Sequence, residues 1–396
     1  MSEYEKTILG AYASIVMGQS PESKYYNSDK KGLAFIQGNR TFGIKNPTID
    51  TYTTSITKLG KKDSVIMSVR APVGDVNMLQ EDVCLGRGVC TLSSSDDNNE
   101  FLYYLMKNAS ADLINRETGS VFGSVNKDVL SSLPISLPQR SERDSIGRIL
   151  SSIDHLILSN SQINDYLVKL TKAISYQYLS VVSESEKKIT LESCCNIYNG
   201  YSYSGNELIE VSDVALVTIK NFDRNGGFKI EGYKPFRVEK KVKDFQFAEL
   251  FDLLIACTDL TQGAEVIGNP EMILDDGGYD KLIISMDLVK IEPNKSVIGK
   301  FALMALLSAG EYKEYAKSCV NGTTVLHLDK SSIPKYEIPI PNNKEILSDF
   351  DSKIKLIYGL RSQLLTQNRK LSEIRNTLLP KLMSGEIDVS KLNLGS

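Results

Sequence analysis

The sequence has few of the residues, and none of the motifs, on which common enzyme sites depend. Its 396 residues include no tryptophan and only two histidines, His155 and His327. It contains no glycine-rich phosphate loop, no GxGxxG dinucleotide fingerprint and no HExxH zinc motif. The six cysteines form no CxxC pair, which favours free thiols over zinc sites or disulfides. We therefore expect a chain with no catalytic residue and no metal site.

Long apolar runs and a secretion signal are also missing. No stretch approaches the length of a membrane span, and residues 1–10 lack the basic-then-apolar layout of a signal peptide. We therefore expect a cytoplasmic protein with no membrane partner. Apolar residues make up 41% of the chain, enough for hydrophobic cores, and its length predicts more than one domain. The net charge of -3 does not by itself indicate nucleic acid, although residues 21–70 hold nine Lys and Arg against four acids.

Two long segments have the periodicity of amphipathic helices. Residues 141–182 and 344–382 carry apolar residues at alternating spacings of three and four, the pattern of a heptad seam. An offset of 197 residues, which takes Ile153 to Phe350, brings the two patterns into register. We predict that the helices pair as an antiparallel intramolecular coiled coil. The predicted seam and partner-binding residues are Ile153, Leu156, Ile163, Leu167, Leu170, Ile174, Ile357, Leu360, Leu364, Leu371, Ile374 and Leu378.

The segments that precede the two helices resemble each other. Three collinear pairs of stretches align without gaps: 9–18 with 191–200, 63–74 with 252–263, and 119–138 with 322–341. Matches in the same order, each set followed by a matching helix, indicate an internal duplication. Each repeat reads as short strands, one amphipathic helix (99–115 or 297–319), a polar loop and a last strand.

The predicted fold class is α+β, with two tandem globular domains separated by two long helices that pair with each other. The predicted boundaries are 1–138 for the first globular domain, 139–185 for the first helical spacer, 186–341 for the second globular domain, and 342–396 for the second spacer with the C-terminal tail.

Polar loops in both globular segments carry groups that can contact nucleic acid. Arg, Asn and Gln side chains can bond to base edges, whereas Lys, Ser, Thr and backbone amides near glycine position phosphates. The loops are 24–26, 37–41, Arg70, Arg87, 119–122 and 126–127 in the first segment, and 201–203, 220–225, 258–262 and 321–324 in the second. This clustering favours a binding protein over an enzyme.

Four stretches give the chain a family resemblance: residues 149–179, 68–77 (SVRAPVGDVN), 85–89 (LGRGV) and 378–387 (LLPKLMSGEI). With them the chain resembles, over essentially its whole length, the DNA-specificity subunit of Type I restriction-modification systems. The resemblance implies two target-recognition domains, each reading one half of a split, asymmetric site in double-stranded DNA. It also implies that the conserved helices set the gap between the half-sites.

The same resemblance implies partners for a role in phage defence. Two adenine methyltransferase (M) subunits would dock on the helices, and restriction and translocase (R) subunits would join through them. Methylation and ATP-dependent cleavage would take place in those partners, so S-adenosylmethionine, ATP and Mg would be used there and this chain would hold no cofactor.

Within the loops we assign DNA-binding roles on the basis of this resemblance. The residues are Gln37, Asn39, Arg40, Arg70, Ser120 and Lys127 for the first half-site, and Tyr203, Lys220, Asn221, Arg224, Gln262 and Thr323 for the second. Two alternatives stay open at this point: a specificity-like DNA-binding subunit of another phage-defence complex, and a coiled-coil scaffold whose globular domains bind proteins.

Overall fold

The structure is a computed structural model that describes residues 4–114, 124–182, 187–224, 226–259, 263–322 and 325–390. The chain divides into two compact units: unit 1 comprises residues 1–158 and 370–396, and unit 2 comprises residues 159–369. These units differ in extent from the predicted domains because each takes in part of both long helices. In the part of the chain that the structure describes, no helix has the length and apolar composition needed to cross a membrane.

Within its described residues, unit 1 combines helices with three small sheets. Its helices are α1 (Leu9–Tyr12), α2 (Asn99–Ile114), α3 (Lys127–Ser131), the beginning of α4 (Arg140–Val182) and the end of α8 (Lys344–Met383). Its strands are β1 (Glu5–Ile8), β2 (Ala13–Met17), β3 (Tyr26–Asn27), β4 (Leu33–Ile36), β5 (Tyr52–Thr53), β6 (Leu59–Gly60), β7 (Val65–Ser68), β8 (Val76–Met78), β9 (Val83–Leu85), β10 (Val89–Ser94) and β11 (Pro134–Leu137). The sheets have the orders β1-β11, β2-β10-β7-β8 and β3-β5-β4-β9-β6, and β4 runs parallel to β9.

Unit 2 repeats this plan. Its helices are the remainder of α4, α5 (Leu191–Cys194), α6 (Lys300–Ala309), α7 (Tyr312–Ser318) and most of α8 (Lys344–Met383). Its strands are β12 (Lys188–Thr190), β13 (Cys195–Asn199), β14 (Val214–Val217), β15 (Lys234–Pro235), β16 (Phe247–Ala248), β17 (Leu253–Ala256), β18 (Thr258–Asp259), β19 (Pro270–Met272), β20 (Lys281–Ile284), β21 (Leu288–Pro293), β22 (Val320–Asn321), β23 (Leu326–Leu328) and β24 (Glu337–Pro339). The sheets have the orders β12-β24, β13-β21-β17-β19, β15-β14-β20-β16 and β18-β23-β22, with β14 parallel to β20. The predicted α+β class is confirmed.

Backbone hydrogen bonds establish the duplication residue by residue. Equivalent bonds, given as N–H donor to carbonyl acceptor, occur in both units: Gly18 to Val89 and Gly200 to Leu288; Val69 to Gly88 and Cys257 to Asp287; Val125 to Val69 and Leu328 to Cys257; Leu9 to Leu133 and Leu191 to Tyr336. These pairs confirm the alignment of 9–18 with 191–200. They also confirm the alignment of 119–138 with 322–341 within its described residues.

The alignment of the middle stretch is wrong by one residue. The strand registers make Val65 equivalent to Leu253, and Asp63 and Phe251 share an unusual positive φ of 61° and 66°. Arg70 is therefore equivalent to Thr258, and not to Asp259. A one-residue slip changes which sheet face a side chain lies on. The burial pattern could not reveal this slip, because every residue of β7 and of β17 is buried.

The long helices lie antiparallel within unit 2. The Asn160 amide of α4 donates to Asn368 of α8 at 2.9 Å, and the Tyr178 ring, further along α4, stacks on Phe350, nearer the start of α8, with ring centroids 4.0 Å apart. In unit 1, the Arg375 guanidinium bonds to the buried carboxylate of Asp154 at 2.7 Å. The predicted antiparallel pairing is confirmed.

The residues between the helices differ from those that the heptad pattern selects. From Leu150 onward the buried positions of α4 are Leu150, Asp154, Ile157, Thr171, Ser175, Tyr178 and Val182, one residue beyond the predicted seam. Five predicted seam residues are instead exposed: Leu156 (55%), Ile163 (47%), Leu170 (47%), Leu360 (51%) and Ile374 (49%). Of the rest, Ile357 is buried, and Ile153, Leu167, Ile174, Leu364, Leu371 and Leu378 are half-buried. The apolar periodicity missed the buried positions of α4 because three of them, Asp154, Thr171 and Ser175, are polar.

Helix α6 receives its N-terminal cap from α8. Its N-cap residue is Gly299, and the N–H groups of Phe301 and Ala302 donate to the Asp351 carboxylate at 3.0 and 2.8 Å. A negative charge at this end of a helix also interacts favourably with the helix dipole. Four further α8 side chains are buried in the core of unit 2: Leu347, Phe350, Ile354 and Tyr358. Helix α8 therefore supplies both a cap and core residues to unit 2.

Candidate nucleic-acid interface

In unit 1, Gly86-Arg87-Gly88 forms a turn fixed against the segment after β4. The N–H of Gly88 donates to the Gln37 carbonyl at 3.0 Å, and the N–H of Arg87 donates to the Ser20 hydroxyl at 3.0 Å. A Cβ on Gly86 would lie 2.6 Å from the Cα of Gln37, and one on Gly88 would meet the Gln37 carbonyl oxygen. Both positions therefore need glycine, and the turn holds the Arg87 side chain exposed to solvent.

Arg87 lies beside Arg70 in a cavity of about 380 Å³. The cavity is lined by Met17, Val69, Arg70, Arg87, Ser124, Val125 and Asn126, which we call the arginine cleft. Arg70 follows β7 and is held there by an isolated backbone bridge to Ser124. Both arginines are exposed, and neither forms an ion pair with any residue in the described ranges. Two guanidinium groups are thus available to an anionic or hydrogen-bond-accepting ligand.

Gln37 and Arg40 lie together in a second cavity of unit 1, of about 230 Å³. Arg40 is already paired, since its guanidinium lies 2.8 Å from the Asp50 carboxylate. Hydrogen bonds from Thr51 and Arg40 hold the pKa of Asp50 below its usual range. This ion pair is exposed, so it contributes little stability and can open for a ligand.

The other predicted residues of the first half-site occupy different settings. The Asn39 side-chain amide donates a hydrogen bond to the Asp75 carboxylate. This hydrogen bond occupies a donor that a DNA contact would need. Lys127 is exposed at the first position of α3, directly after the N-cap Asn126, whose side chain accepts the N–H of Val129 at 2.9 Å. Ser120 lies outside the described residues.

The structure corrects the prediction for Asn221 in unit 2. Asn221 is fully buried, its side-chain oxygen accepts the N–H of Thr218 at 2.9 Å, and its amide donates to the Lys229 carbonyl at 2.7 Å. Both ends of the amide are used within its own loop, so Asn221 stabilises the loop and does not face a ligand. Lys220 and Arg224 are exposed on the same loop, and their role as ligand contacts stays a prediction.

The remaining predicted residues of unit 2 are less exposed or lie outside the described ranges. Tyr203 is half-buried and packs edge-to-face on Phe236, with ring centroids 6.3 Å apart. Burial raises the pKa of its phenol, so the hydroxyl stays a hydrogen-bond donor at neutral pH. Gln262 and Thr323 lie outside the described residues.

A cavity of about 190 Å³ lies behind the Arg224 loop in unit 2. Arg224 pairs with Glu265 at 3.2 Å across its rim, and its wall contains the buried carboxyl of Glu271, which accepts the N–H of Gly227. Burial raises the pKa of Glu271 to about 7. Burial also lowers the pKa of Lys313, on the same cavity, to about 8. The conformation of the Arg224 loop is therefore stabilised by a carboxyl that titrates near neutral pH.

Arg87 was noted in the sequence as part of a polar loop but was not chosen as a DNA-binding residue. The signal that could have selected it is the pair of flanking glycines, because glycine on both sides of one charged residue is typical of a tightly held, exposed turn. The structure thus brings together Arg70, Arg87 and Asn126 in one cleft, and Gln37 and Arg40 in a neighbouring one.

Comparison with known proteins gives these clefts a context. The family model described as "Type I restriction modification DNA specificity domain" matches residues 1–168 and again residues 184–366. The putative type I restriction enzyme MjaX specificity subunit of Methanocaldococcus jannaschii is 34% identical over 176 residues, which cover 43% of this chain and 41% of that relative. The type I restriction enzyme MjaIX specificity subunit of the same organism is 23% identical over 385 residues, covering 88% of this chain and 83% of that relative.

The fold agrees with these matches. The crystal structure of the S subunit of a type-I restriction-modification system from M. genitalium superimposes with a TM-score of 0.62 at 16% identity, covering 98% of this chain and 97% of that chain. This likeness confirms the predicted tandem-domain fold. Two copies of the specificity domain, which together span most of the sequence, decide the family. The chain belongs to the type I restriction-modification DNA specificity family, in which it is a DNA-recognition subunit.

Proposed function

We propose that this chain reads a split DNA target, one half through each of its two repeats. We call the part of unit 1 that precedes α4 the first domain, and the part of unit 2 between α4 and α8 the second domain. The observation that carries the proposal is the arginine cleft of the first domain, where two exposed guanidinium groups share one cavity and have no carboxylate partner among the described residues. Guanidinium groups in such a setting suit both phosphates and guanine edges.

The test is to express the chain with an adenine methyltransferase encoded beside it, in a host that lacks other adenine methylation. Long-read sequencing then maps the modified adenines. We expect one motif with two short defined halves and a fixed, unspecified gap. Scattered methylation by an assembled complex would contradict the proposal. Affinity for the motif should also fall steeply as salt rises, because phosphate contacts release counterions, whereas a protein-binding scaffold would show no such dependence.

We further propose that the exposed apolar rows on the long helices dock methyltransferase subunits. In unit 2 the rows contain Ile163 (47% exposed), Tyr166 (68%) and Leu170 (47%) on α4, and Leu356 (71%) and Leu360 (51%) on α8. Residues three, four and seven apart share one helix face, so each helix presents a continuous apolar strip. We expect two methyltransferase subunits to dock on these strips and restriction subunits to join through them, with S-adenosylmethionine, ATP and Mg used in those partners.

Docking is tested by replacing one apolar residue with a charge. Ile163→Asp should abolish co-purification with the methyltransferase, because an interface would have to bury an unpaired carboxylate. Gln162→Asp is the matched control, since Gln162 is the exposed preceding residue on a different helix face. Equal assembly of both variants would remove this strip from the interface.

The helices are also proposed to set the gap between the two half-sites. Inserting four residues into α4, about 6 Å of helix, should widen the unspecified gap of the methylated motif. A motif that keeps its original gap would show that another feature sets the spacing.

A further inference from the structure

Both units carry the same clamped turn. The turns are Gly86-Arg87-Gly88 in unit 1 and Ser285-Met286-Asp287 in unit 2, equivalent by the backbone hydrogen bonds on either side of them. A Cβ added to Gly18 would meet the carbonyl of Gly86, and one added to Gly200 would meet the carbonyl of Ser285. Each turn is therefore held by a glycine at the end of the neighbouring strand, and each exposes its middle side chain.

The exposed side chain differs between the two turns. Unit 1 presents Arg87, whereas unit 2 presents Met286, which is 45% exposed. A phosphate contact carries no sequence information, so such a role would call for a cation in both repeats. Lys127 and Lys330 meet that expectation, because they are equivalent and are both lysine. A position that keeps its backbone but exchanges a cation for an apolar group is suited to distinguishing bases.

The charged groups around the two turns also differ, with more positive charge in unit 1. In unit 1 the arginine cleft holds a second guanidinium, Arg70. In unit 2 the position equivalent to Arg70 is the buried Thr258, and Lys330 donates to the Met286 carbonyl at 2.8 Å. Asp329 replaces Asn126, and hydrogen bonds from Ser331 hold the pKa of its carboxyl low. The unit 1 turn is thus cationic, whereas charges around the unit 2 turn largely cancel.

We propose that Arg87 reads a guanine in the half-site of the first domain and that Met286 reads a thymine at the corresponding place in the other half-site. The inference rests on the proposed function, in which each repeat reads one half of the target. A guanidinium can bond to O6 and N7 of guanine together, and an apolar side chain can pack on the thymine methyl group. Because the backbone of the turn is already fixed, Arg87 loses less conformational entropy when it binds DNA, which favours a specific contact.

The experiment uses the full chain assembled with its methyltransferase and two reciprocal variants, Arg87→Met and Met286→Arg. The first variant should remove a guanine requirement at one position of one half-site and leave the other half unchanged. The second should add a guanine preference in the other half. On DNA of the wild-type motif, Arg87→Met should weaken binding roughly 10- to 100-fold, and 7-deazaguanine at the affected position should weaken wild-type binding without further weakening the variant.

Three outcomes overturn the inference. If Arg87→Met weakens binding equally on all sequences and a methylphosphonate reproduces the loss, Arg87 binds a phosphate. If a split wild-type motif is unchanged in both variants, neither turn reads a base, although the proposed function stands. If the wild-type complex methylates without any motif, the proposed function fails together with this inference. Circular dichroism of both variants, whose changed side chains are exposed, checks that loss of binding is not loss of folding.

Discussion

Replacing Glu271 by glutamine tests whether a buried carboxyl destabilises unit 2 as the pH rises. Burial raises the pKa of Glu271 from 4.5 to about 7, and the side chain is 5% exposed. Its carboxyl accepts the N–H of Gly227, in the loop that carries Arg224. The strand registers make Glu271 equivalent to Asn77 of unit 1, a neutral amide. Unit 1 therefore uses an uncharged residue where unit 2 uses one that ionises.

The free energy of unfolding should fall with pH over a defined window. A carboxyl with a higher pKa in the folded state binds its proton more tightly there. Its contribution to the free energy of unfolding is therefore fully present below pH 4.5 and is lost as the pH rises through 7. At about 1.4 kcal/mol for each pKa unit, a shift from 4.5 to about 7 corresponds to about 3 kcal/mol. Glutamine keeps an acceptor oxygen for Gly227 and does not ionise.

We therefore expect Glu271→Gln to match the wild-type chain at a pH near 4.5 and to be more stable by about 3 kcal/mol at a pH well above 7. Urea unfolding of the full chain at several pH values, followed by circular dichroism, measures this difference. Glu249→Gln is the control, since Glu249 is exposed in the same unit and should have no pH-dependent effect. If Glu271→Gln changed stability equally at all pH values, Glu271 would not be titrating in this window and the reasoning would be refuted.

Three further substitutions test contacts described above. Arg375→Met should lower the free energy of unfolding by about 3 to 5 kcal/mol in calorimetry, because it leaves the fully buried Asp154 carboxylate without its ion pair; an unchanged melting temperature would contradict this. Asn221→Ala should lower the free energy of unfolding by about 1 to 3 kcal/mol in urea, since it leaves the Thr218 N–H and the Lys229 carbonyl without their hydrogen-bond partner. A variant of wild-type stability that fails to bind DNA would instead show that Asn221 is a contact residue. Gly86→Ala should cost about 1 to 3 kcal/mol through overpacking, whereas Gly38→Ala, whose Cβ would meet nothing within 4 Å, should not; equal effects would show that the turn is not clamped.

The sequence predicted the long helices well because their periodicity extends over many turns. The segments 141–182 and 344–382 correspond to Arg140–Val182 and Lys344–Met383. The predicted helix 297–319 is two helices, Lys300–Ala309 and Tyr312–Ser318, because Gly310 at the C-cap of the first interrupts it.

The positions of individual side chains were harder to predict. The seam on α4 was placed one residue away because three of the buried positions, Asp154, Thr171 and Ser175, are polar and carry no apolar signal. Asn221 was of a type that suits DNA contacts, but the sequence does not show that the loop folds over its amide. The glycines on either side of Arg87 indicate a tight turn, but the sequence does not show what fixes that turn, because the close approach of Gly86 to Gln37 links segments about fifty residues apart.

The cap that Asp351 gives to α6 means that the second domain is not a self-sufficient folding module. A fragment ending at residue 341 would leave the Phe301 and Ala302 N–H groups without their acceptor and would remove Phe350, Ile354 and Tyr358 from the core. Exchanging this domain between related proteins at its apparent sequence boundaries would therefore pair it with a foreign α8. Successful chimaeras should carry the Asp351 segment along with the domain, or receive a carboxylate at that position from the host chain.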